Sequence, residues 1–143
     1  YEVTGQTLSE HFAQKQGMDF PYHVLQMAIA PAERHIIHER IERRFHQMLE
    51  LGFIDEVEAL YANGRLHPDL PSMRSVGYRQ VLNYLRGDTT YEEMVERGII
   101  ATRQLSKRQL TWLRSYPDVI WFDALDDHLL DKVLKSIADL DWL

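Results

Sequence analysis

The stretch YHVLQMAIA at residues 22–30, followed at once by PAERHIIHERIERRFHQMLEL at 31–51, decides the fold class of this chain. The first segment is apolar and partly alternating, which predicts a buried β-strand over 22–30. Pro31 then opens a helix, because proline is well tolerated in a first turn. That helix is predicted to run to about Leu51 with one apolar stripe: Ile37, Ile41, Phe45 and Met48. A strand leading directly into an amphipathic helix is typical of an α/β fold.

The remaining elements extend the same pattern. Helical segments are predicted over 8–17, over 54–63, from Ser72 or Ser75 to Arg86, from the capping box at Thr90 and Glu93 to Ser115, and over 129–140. Residues 118–123 predict a second short strand. Two apolar strands, each attached to helices, indicate a predominantly helical α/β fold in which both belong to a parallel sheet. Two buried strands leave their outer edges unpaired, and Tyr1 to Gly5 reads as a helix end. We therefore expect this chain to begin inside a longer protein.

Composition excludes several classes of protein. The 143 residues include no cysteine, which rules out disulfide scaffolds, thiolate zinc sites and a cysteine nucleophile. The formal net charge is −6, so binding to nucleic acid through bulk positive charge is excluded. The apolar runs are far shorter than the roughly 20 residues that cross a bilayer, and we expect no membrane association.

The charges are sorted along the chain. Residues 74–116 carry eight basic and four acidic residues, a net of +4, whereas 1–73 and 117–143 each carry −5. From Arg97 to Tyr116 there are five cations and no carboxylate. This pattern predicts either an anionic partner or neutralisation by the acidic C-terminal segment.

A helical projection of the long helix separates its cations from its apolar residues. The polar face contains Arg97, Arg103, Gln104, Lys107, Arg108, Thr111 and Arg114. The apolar arc contains Met94, Val95, Ile99, Ala101, Leu105, Leu110, Trp112 and Leu113, and Ile100 is the exception among the charges. Cations with amide and hydroxyl donors, and no carboxylate on that face, favour phosphate-rich RNA or DNA. A basic face packed on an acidic domain is the alternative.

Two further clusters fit anion binding. Residues 74–80 place two arginines and Gly77 at a predicted helix start, where free N–H groups bind anions, and Tyr78 offers a stacking surface. A plain capped helix with solvated arginines is the alternative. Arg40 and Arg44 lie one turn apart at the margin of the apolar stripe, a position suited to a phosphate, unless Arg44 instead reaches Glu42 or Glu39.

The sequence contains no complete catalytic constellation. His35 and His38 have helical spacing, but no cysteine or convergent carboxylate completes a zinc site, so we expect no metal bound by these residues. The phosphate-binding Gly-x-x-x-x-Gly-Lys-Ser/Thr motif, the dinucleotide-binding glycine motif, the hydrolase serine motif and the zinc-protease motif are all absent.

Three longer motifs together resemble the tRNA dimethylallyltransferase (tRNA isopentenyltransferase) family. They are RIERRFHQM with GFIDEV at 40–57, LPSMRSVGYRQ at 70–80 and ATRQLSKRQLTWLR at 101–114. The resemblance extends in order to Asp123. It implies transfer of a dimethylallyl group from dimethylallyl diphosphate to N6 of adenine 37 in tRNA, with that adenine flipped out of the anticodon loop.

The resemblance also implies a division of the chain. Residues 1–20 correspond to the end of a helical insertion that grips the anticodon stem. Residues 21–143 correspond to the C-terminal part of a P-loop-like, nucleotide-binding (ATP-binding) core with tRNA-binding helices. The family's phosphate-binding loop, catalytic aspartate and a threonine have no counterpart in these 143 residues, so the fragment alone is expected to be inactive.

Residue roles follow from the matched motifs. Arg44 matches the catalytic arginine on the diphosphate, with Arg40 as a second diphosphate ligand. The matched tRNA contacts are Arg74, Ser75, Val76, Gly77, Tyr78, Arg79, Arg103, Gln104, Lys107, Arg108, Gln109, Leu110, Thr111, Trp112, Leu113 and Arg114. Mg²⁺ is implied as cofactor, bound mainly by the absent N-terminal part, and the enzyme is expected to be a cytoplasmic monomer. A non-catalytic helical RNA-binding module and a helical partner of an acidic protein are the alternatives.

Overall fold

The computed structural model describes residues 4–7, 9–10, 22–64 and 70–140, and it confirms a predominantly helical α/β fold with two parallel strands. The elements in chain order are β1 (Met27–Ala30), α1 (Arg34–Glu50), α2 (Phe53–Ala62), a 3-10 turn (Pro71–Arg74), α3 (Tyr78–Leu85), α4 (Tyr91–Leu113), β2 (Ile120–Asp123) and α5 (Leu129–Ala138). Most of the helix predicted over 8–17, and the domain boundary predicted after residue 20, lie outside the described residues.

Both strands are shorter than predicted. β1 covers four residues instead of nine, and the parallel ladder pairs Met27 with Ile120 and Ala30 with Asp123. Val24 is 61% exposed, so the prediction of a buried strand over 22–30 is wrong in its first half. A strand extends only as far as its neighbour can take up its N–H and C=O groups, and β2 offers four residues.

Two helix starts also differ from their predictions. Arg34 is the first residue of α1, while Ala32 and Glu33 form the turn before it. The carboxylate of Asp123 accepts a hydrogen bond from the Ala32 N–H at 3.3 Å, which ties that turn to the end of β2. α3 begins at Tyr78 rather than at either predicted serine, since Ser72 lies inside the 3-10 turn, Ser75 caps the end of that turn, and Gly77 is the N-cap of α3.

The start of α4 is as predicted. The Glu93 N–H donates to the Thr90 hydroxyl at 3.2 Å, and the Thr90 N–H donates to the Glu93 carboxylate at 3.1 Å. This reciprocal pair satisfies two N–H groups that the first turn leaves without intrahelical partners. α4 then runs unbroken for 23 residues, about 34 Å at 1.5 Å per residue.

The core lies where α1, α2, α3 and α4 meet. Its buried residues are Phe45, Phe53, Val57, Val81, Met94 and Ile99. α1 and α4 are antiparallel, because Phe45 lies against Gly98 while the earlier Glu42 lies against the later Arg103. This antiparallel packing places the first half of α1 beside the last half of α4. No helix in the described part of the chain has the length and apolarity to cross a membrane.

Candidate functional site

A mainly apolar cleft of about 850 Å³ lies between α1 and the second half of α4. Its apolar lining includes Ile29, Ile37, Ile41, Phe45, Met48, Leu105, Leu110, Trp112 and Leu113. Arg40 and Arg44 contribute its positive charge from α1, and the described lining contains no carboxylate. The volume falls in the range of small-molecule sites, and the lining suits a ligand with an aliphatic part and an anionic part.

Arg40 and Arg44 are both exposed and line this cleft together. Neither has an ion pair or hydrogen bond with any residue that the structure describes. Arg44 does not reach Glu42, whose carboxylate is bonded to Arg103 instead. Two unneutralised guanidinium groups one helical turn apart can take a diphosphate, since each presents several fixed N–H donors to phosphate oxygens.

The polar face of α4 is less uniformly cationic than the helical projection predicts. The Arg103 Nη2 lies 2.7 Å from the Glu42 Oε2, and the Arg97 Nη2 lies 3.6 Å from the Glu93 Oε1. The expectation of a face without carboxylate acceptors is therefore wrong at two of its five cations. Glu93 lies on α4 itself, one turn before Arg97, and precedes the acid-free stretch that begins at Arg97. Glu42 comes from the antiparallel α1, which a projection of α4 alone cannot include.

The rest of that face forms an open groove of about 510 Å³. We call it the α4 groove, and its lining is Gln104, Lys107, Arg108, Thr111, Trp112 and Ser115. Lys107 and Arg108 have no ion-pair partner among the described residues. The groove therefore combines free cations, hydrogen-bond donors and an aromatic ring, which is the composition of a nucleic-acid surface.

Trp112 and Leu105 contradict the predicted apolar arc. Trp112 is 67% exposed and packs edge-on against Tyr116, with ring centroids 5.7 Å apart. Leu105 is 37% exposed and lines the apolar cleft. The buried part of the arc is confined to the first half of α4, where Met94 and Ile99 meet the other helices. Ile100, predicted among the charges, is exposed.

The segment 74–80 differs from the anion pocket that its sequence predicts. The Gly77 N–H is not free, because it donates to the Gln80 side chain at 2.8 Å. The Tyr78 hydroxyl donates to the Glu56 carboxylate, and this bond raises the pKa of Tyr78. Its ring packs edge-on against Phe53 with centroids 5.3 Å apart, so it is half-buried rather than a free stacking surface.

Parts of this segment nevertheless remain accessible to a ligand. Val76 and Gly77 line the apolar cleft. Arg74, Ser75 and Arg79 are exposed, and the Arg79 Nη2 donates to the Arg74 carbonyl at 3.5 Å. The segment therefore presents Arg74 and Arg79 at the surface, on either side of the two residues that line the cleft.

The two helical histidines have other partners. The His35 Nδ1 lies 3.0 Å from the Glu33 carboxylate, and the His38 Nε2 accepts a hydrogen bond from the Arg34 Nε at 3.2 Å. Desolvation and the positive charges of Arg34 and Arg103 lower the pKa of His38. Within the described ranges, no group of three or more His, Asp or Glu side chains is arranged to hold a metal ion.

Comparison with known proteins shows what this arrangement is similar to. A family model described as IPP transferase matches residues 1–116. The full-length tRNA isopentenylpyrophosphate transferase of Bacillus halodurans is 36% identical with a TM-score of 0.70, and the match covers 83% of this chain and 38% of that one. The tRNA delta(2)-isopentenylpyrophosphate transferase of Staphylococcus epidermidis is 25% identical with a TM-score of 0.71, and the match covers 98% of this chain and 46% of that one. The chain thus spans less than half the length of either structure.

Proposed function

Because the chain belongs to the IPP transferase family, we propose that it forms part of an enzyme that transfers a dimethylallyl group from dimethylallyl diphosphate to N6 of adenine 37 in tRNA. Family membership confirms the resemblance that the three sequence motifs predict. The reaction, its substrates and the position of the modified base are our proposal for this chain.

The observation that carries the proposal is the pairing of an apolar cleft with two unneutralised arginines. Burial of the dimethylallyl group against residues such as Ile41 and Leu105 would contribute about 0.8 kcal/mol for each CH₂ removed from water. Arg40 and Arg44 would bind the diphosphate at the edge of that cleft. One site would thus recognise both halves of an allylic diphosphate.

The proposed step has a simple balance. The bond between the allylic carbon and the diphosphate oxygen breaks, a bond from that carbon to N6 forms, and N6 loses a proton to a base. Negative charge grows on the departing diphosphate, and a guanidinium placed beforehand at that position stabilises it. We assign this role to Arg44, with Arg40 as a second ligand.

Mg²⁺ and the proton acceptor require residues that this cleft does not supply. Magnesium prefers carboxylate and phosphate oxygens, and the described lining of the cleft contains no Asp or Glu. In the proposed step, these residues therefore act on the diphosphate directly and do not hold the metal. Binding of Mg²⁺ and ATP stays a prediction from the family. The phosphate-binding loop and the catalytic aspartate would come from sequence outside these 143 residues.

We assign the RNA partner, an anticodon stem-loop, to the α4 groove and the segment 74–79. The proposed contacts are Arg74, Ser75, Val76, Gly77, Tyr78, Arg79 and the residues of α4 and its end from Arg103 to Arg114 that the family motif matches. Lys107 and Arg108 would neutralise phosphates, and Trp112 would stack on an unpaired base. Arg103 would contribute less, since Glu42 already neutralises it.

A transfer assay tests the proposal. The intact protein is incubated with dimethylallyl diphosphate, Mg²⁺ and an anticodon stem-loop, and the prenylated nucleoside is identified by mass spectrometry. We expect one modified adenosine, and none in a stem-loop with guanosine at position 37. RNA binding without any transfer would instead support the non-catalytic RNA-binding module. An upstream coding sequence without a Gly-x-x-x-x-Gly-Lys-Ser/Thr motif would also contradict the enzyme assignment.

A further inference from the structure

A second cleft, of about 430 Å³, lies at the carboxyl ends of β1 and β2. We call it the strand-edge cleft. Three cations line it, Arg34 from the first turn of α1 and Lys107 and Arg114 from the end of α4, together with Asp123. Ligands commonly bind at the carboxyl ends of parallel strands, since loops and helix starts converge there.

Asp123, the one carboxylate in the described lining of this cleft, is occupied by backbone donors. The Asp123 Oδ1 accepts hydrogen bonds from the Ala32 N–H at 3.3 Å and from the Leu125 N–H at 3.0 Å. None of the three cations forms an ion pair with a residue in the described ranges. Positive charge in the cleft is therefore left for a ligand.

Two of the cations are held in place by neighbours that leave donors free. The Arg34 Nε donates to His38, so the terminal nitrogens of that guanidinium remain for a ligand. The Arg114 guanidinium lies over the Trp121 ring, 5.9 Å from its centroid. An aromatic face attracts a guanidinium and leaves its edge available to an anion.

We propose that Arg34, together with Lys107 and Arg114, binds the phosphate backbone of the RNA substrate in the strand-edge cleft. The inference rests on the proposed function and adds to it Arg34, a residue outside the matched family motifs. A phosphate at this point would anchor the RNA at the sheet edge, next to the apolar cleft that shares Ala30, Pro31, Ile37 and Leu110 with it.

Continuity with the α4 groove favours RNA over the prenyl donor as the source of the phosphate. Lys107 and Thr111 line both the strand-edge cleft and the α4 groove, so the cations from Arg108 to Arg34 form one row. The rise of the helix places Arg114 about 10 Å beyond Lys107 along the axis of α4. A polymer with repeated phosphates can engage such a row, whereas a single diphosphate already has Arg40 and Arg44.

The test compares Arg34→Gln with Arg43→Gln in the intact protein. Arg43 is an exposed arginine of the same helix that lines neither cleft nor the α4 groove, and it has no ion-pair partner among the described residues. Binding of a fluorescent anticodon stem-loop is measured by anisotropy over a series of salt concentrations. Circular dichroism verifies that both variants fold.

Loss of one phosphate contact predicts a specific change for Arg34→Gln. The slope of log K against log salt should become shallower by about 0.7 to 0.9, and affinity at low salt should fall roughly three- to tenfold. Arg34→Lys should restore most of the slope, and Arg43→Gln should leave it unchanged. The affinity for dimethylallyl diphosphate should be the same in all four proteins.

Two results would overturn the inference alone. The first is an equal salt slope for Arg34→Gln and Arg43→Gln. The second is weaker binding of dimethylallyl diphosphate by Arg34→Gln with unchanged RNA binding, which would mean that the strand-edge cleft binds the prenyl donor. Failure of the unsubstituted protein to bind the stem-loop would overturn the proposed function itself, and the inference with it.

Discussion

Gly98 of α4 lies so close to the ring of Phe45 on α1 that a Cβ at position 98 would stand 2.2 Å from the Phe45 Cζ. Phe45 is 4% exposed, so its ring has little room to move away. This contact lies between α1 and α4, the two helices that bound the apolar cleft. The spacing of the two helices in turn sets how far the apolar side chains of α1 stand from those of α4 across the cleft.

Gly98→Ala should therefore destabilise the protein, although alanine is the better helix former. The substitution gains up to about 1 kcal/mol of helix propensity, but overpacking a buried contact costs about 1 to 3 kcal/mol. We expect a net loss of about 1 to 2 kcal/mol in the free energy of unfolding, measured by urea titration.

A smaller partner provides the control for this prediction. In a Phe45→Leu background the added methyl group has space, so Gly98→Ala should cost less there than in the native background, or stabilise. A double-mutant cycle measures this coupling between the two positions. Equal effects in both backgrounds would show that the clash with Phe45 does not determine the outcome.

The sequence predicts this framework well where the causes are local. The capping box at Thr90 sets the start of α4 because both its hydrogen bonds lie within one turn. The apolar stripe of α1 likewise places Phe45 in the core. Strand lengths are not local, since β1 ends where β2 stops pairing with it.

The sequence predicts that Arg40 and Arg44 lie together, but it does not predict which side chains from other helices contact the residues of the candidate site. Arg40 and Arg44 lie together on one cleft, as their helical spacing suggests. The pairing of Arg103 with Glu42 joins residues 61 positions apart and depends on how two helices pack. The exposure of Trp112 depends on which half of α4 the other helices cover, and no periodicity within α4 contains that information.

In the intact protein, Arg44→Ala should lower the proposed rate of prenyl transfer while leaving tRNA affinity nearly intact. If Arg44 stabilises the departing diphosphate, its loss removes an interaction that strengthens as the bond breaks, which typically costs 10²- to 10³-fold in kcat, about 2.7 to 4 kcal/mol. Steady-state transfer rates and stem-loop anisotropy measure the two effects separately. Arg43→Ala is the matched control, and it should change neither. An equal loss of tRNA binding in Arg44→Ala would show that Arg44 contacts the RNA.

Arg103→Gln should weaken stem-loop binding less than Lys107→Gln does, although both lie on the polar face of α4. Arg103 is already paired with Glu42, whereas Lys107 has no ion-pair partner within the described ranges. We expect a shallower salt slope, by about 0.7 to 0.9, for Lys107→Gln and a smaller change for Arg103→Gln. Anisotropy titrations at several salt concentrations give both slopes. A larger change for Arg103→Gln would mean that RNA displaces Glu42 from Arg103 in the complex.

His38 should make stability depend on pH in a definite direction. Desolvation, with Arg34 and Arg103 nearby, lowers the pKa of His38, so the folded protein binds this proton less tightly than the unfolded chain does. Stability is therefore retained above the ordinary histidine pKa of about 6.5 and decreases as the pH falls below it. Protonation also removes the Nε2 lone pair that accepts the hydrogen bond from Arg34.

Thermal unfolding measures the contribution of His38 protonation to stability. The midpoint is recorded at about pH 7.5 and about pH 5.5, and its change is compared between the native protein and His38→Gln. Glutamine can still accept a hydrogen bond from Arg34 but cannot take up a proton in this range, so the variant should lose less stability on acidification. His35→Gln, on the same helix and paired with Glu33, is the matched control. A difference confined to His38→Gln assigns the effect to the Arg34–His38 contact. An equal acid sensitivity in His38→Gln and the native protein would mean that protonation of His38 does not oppose folding.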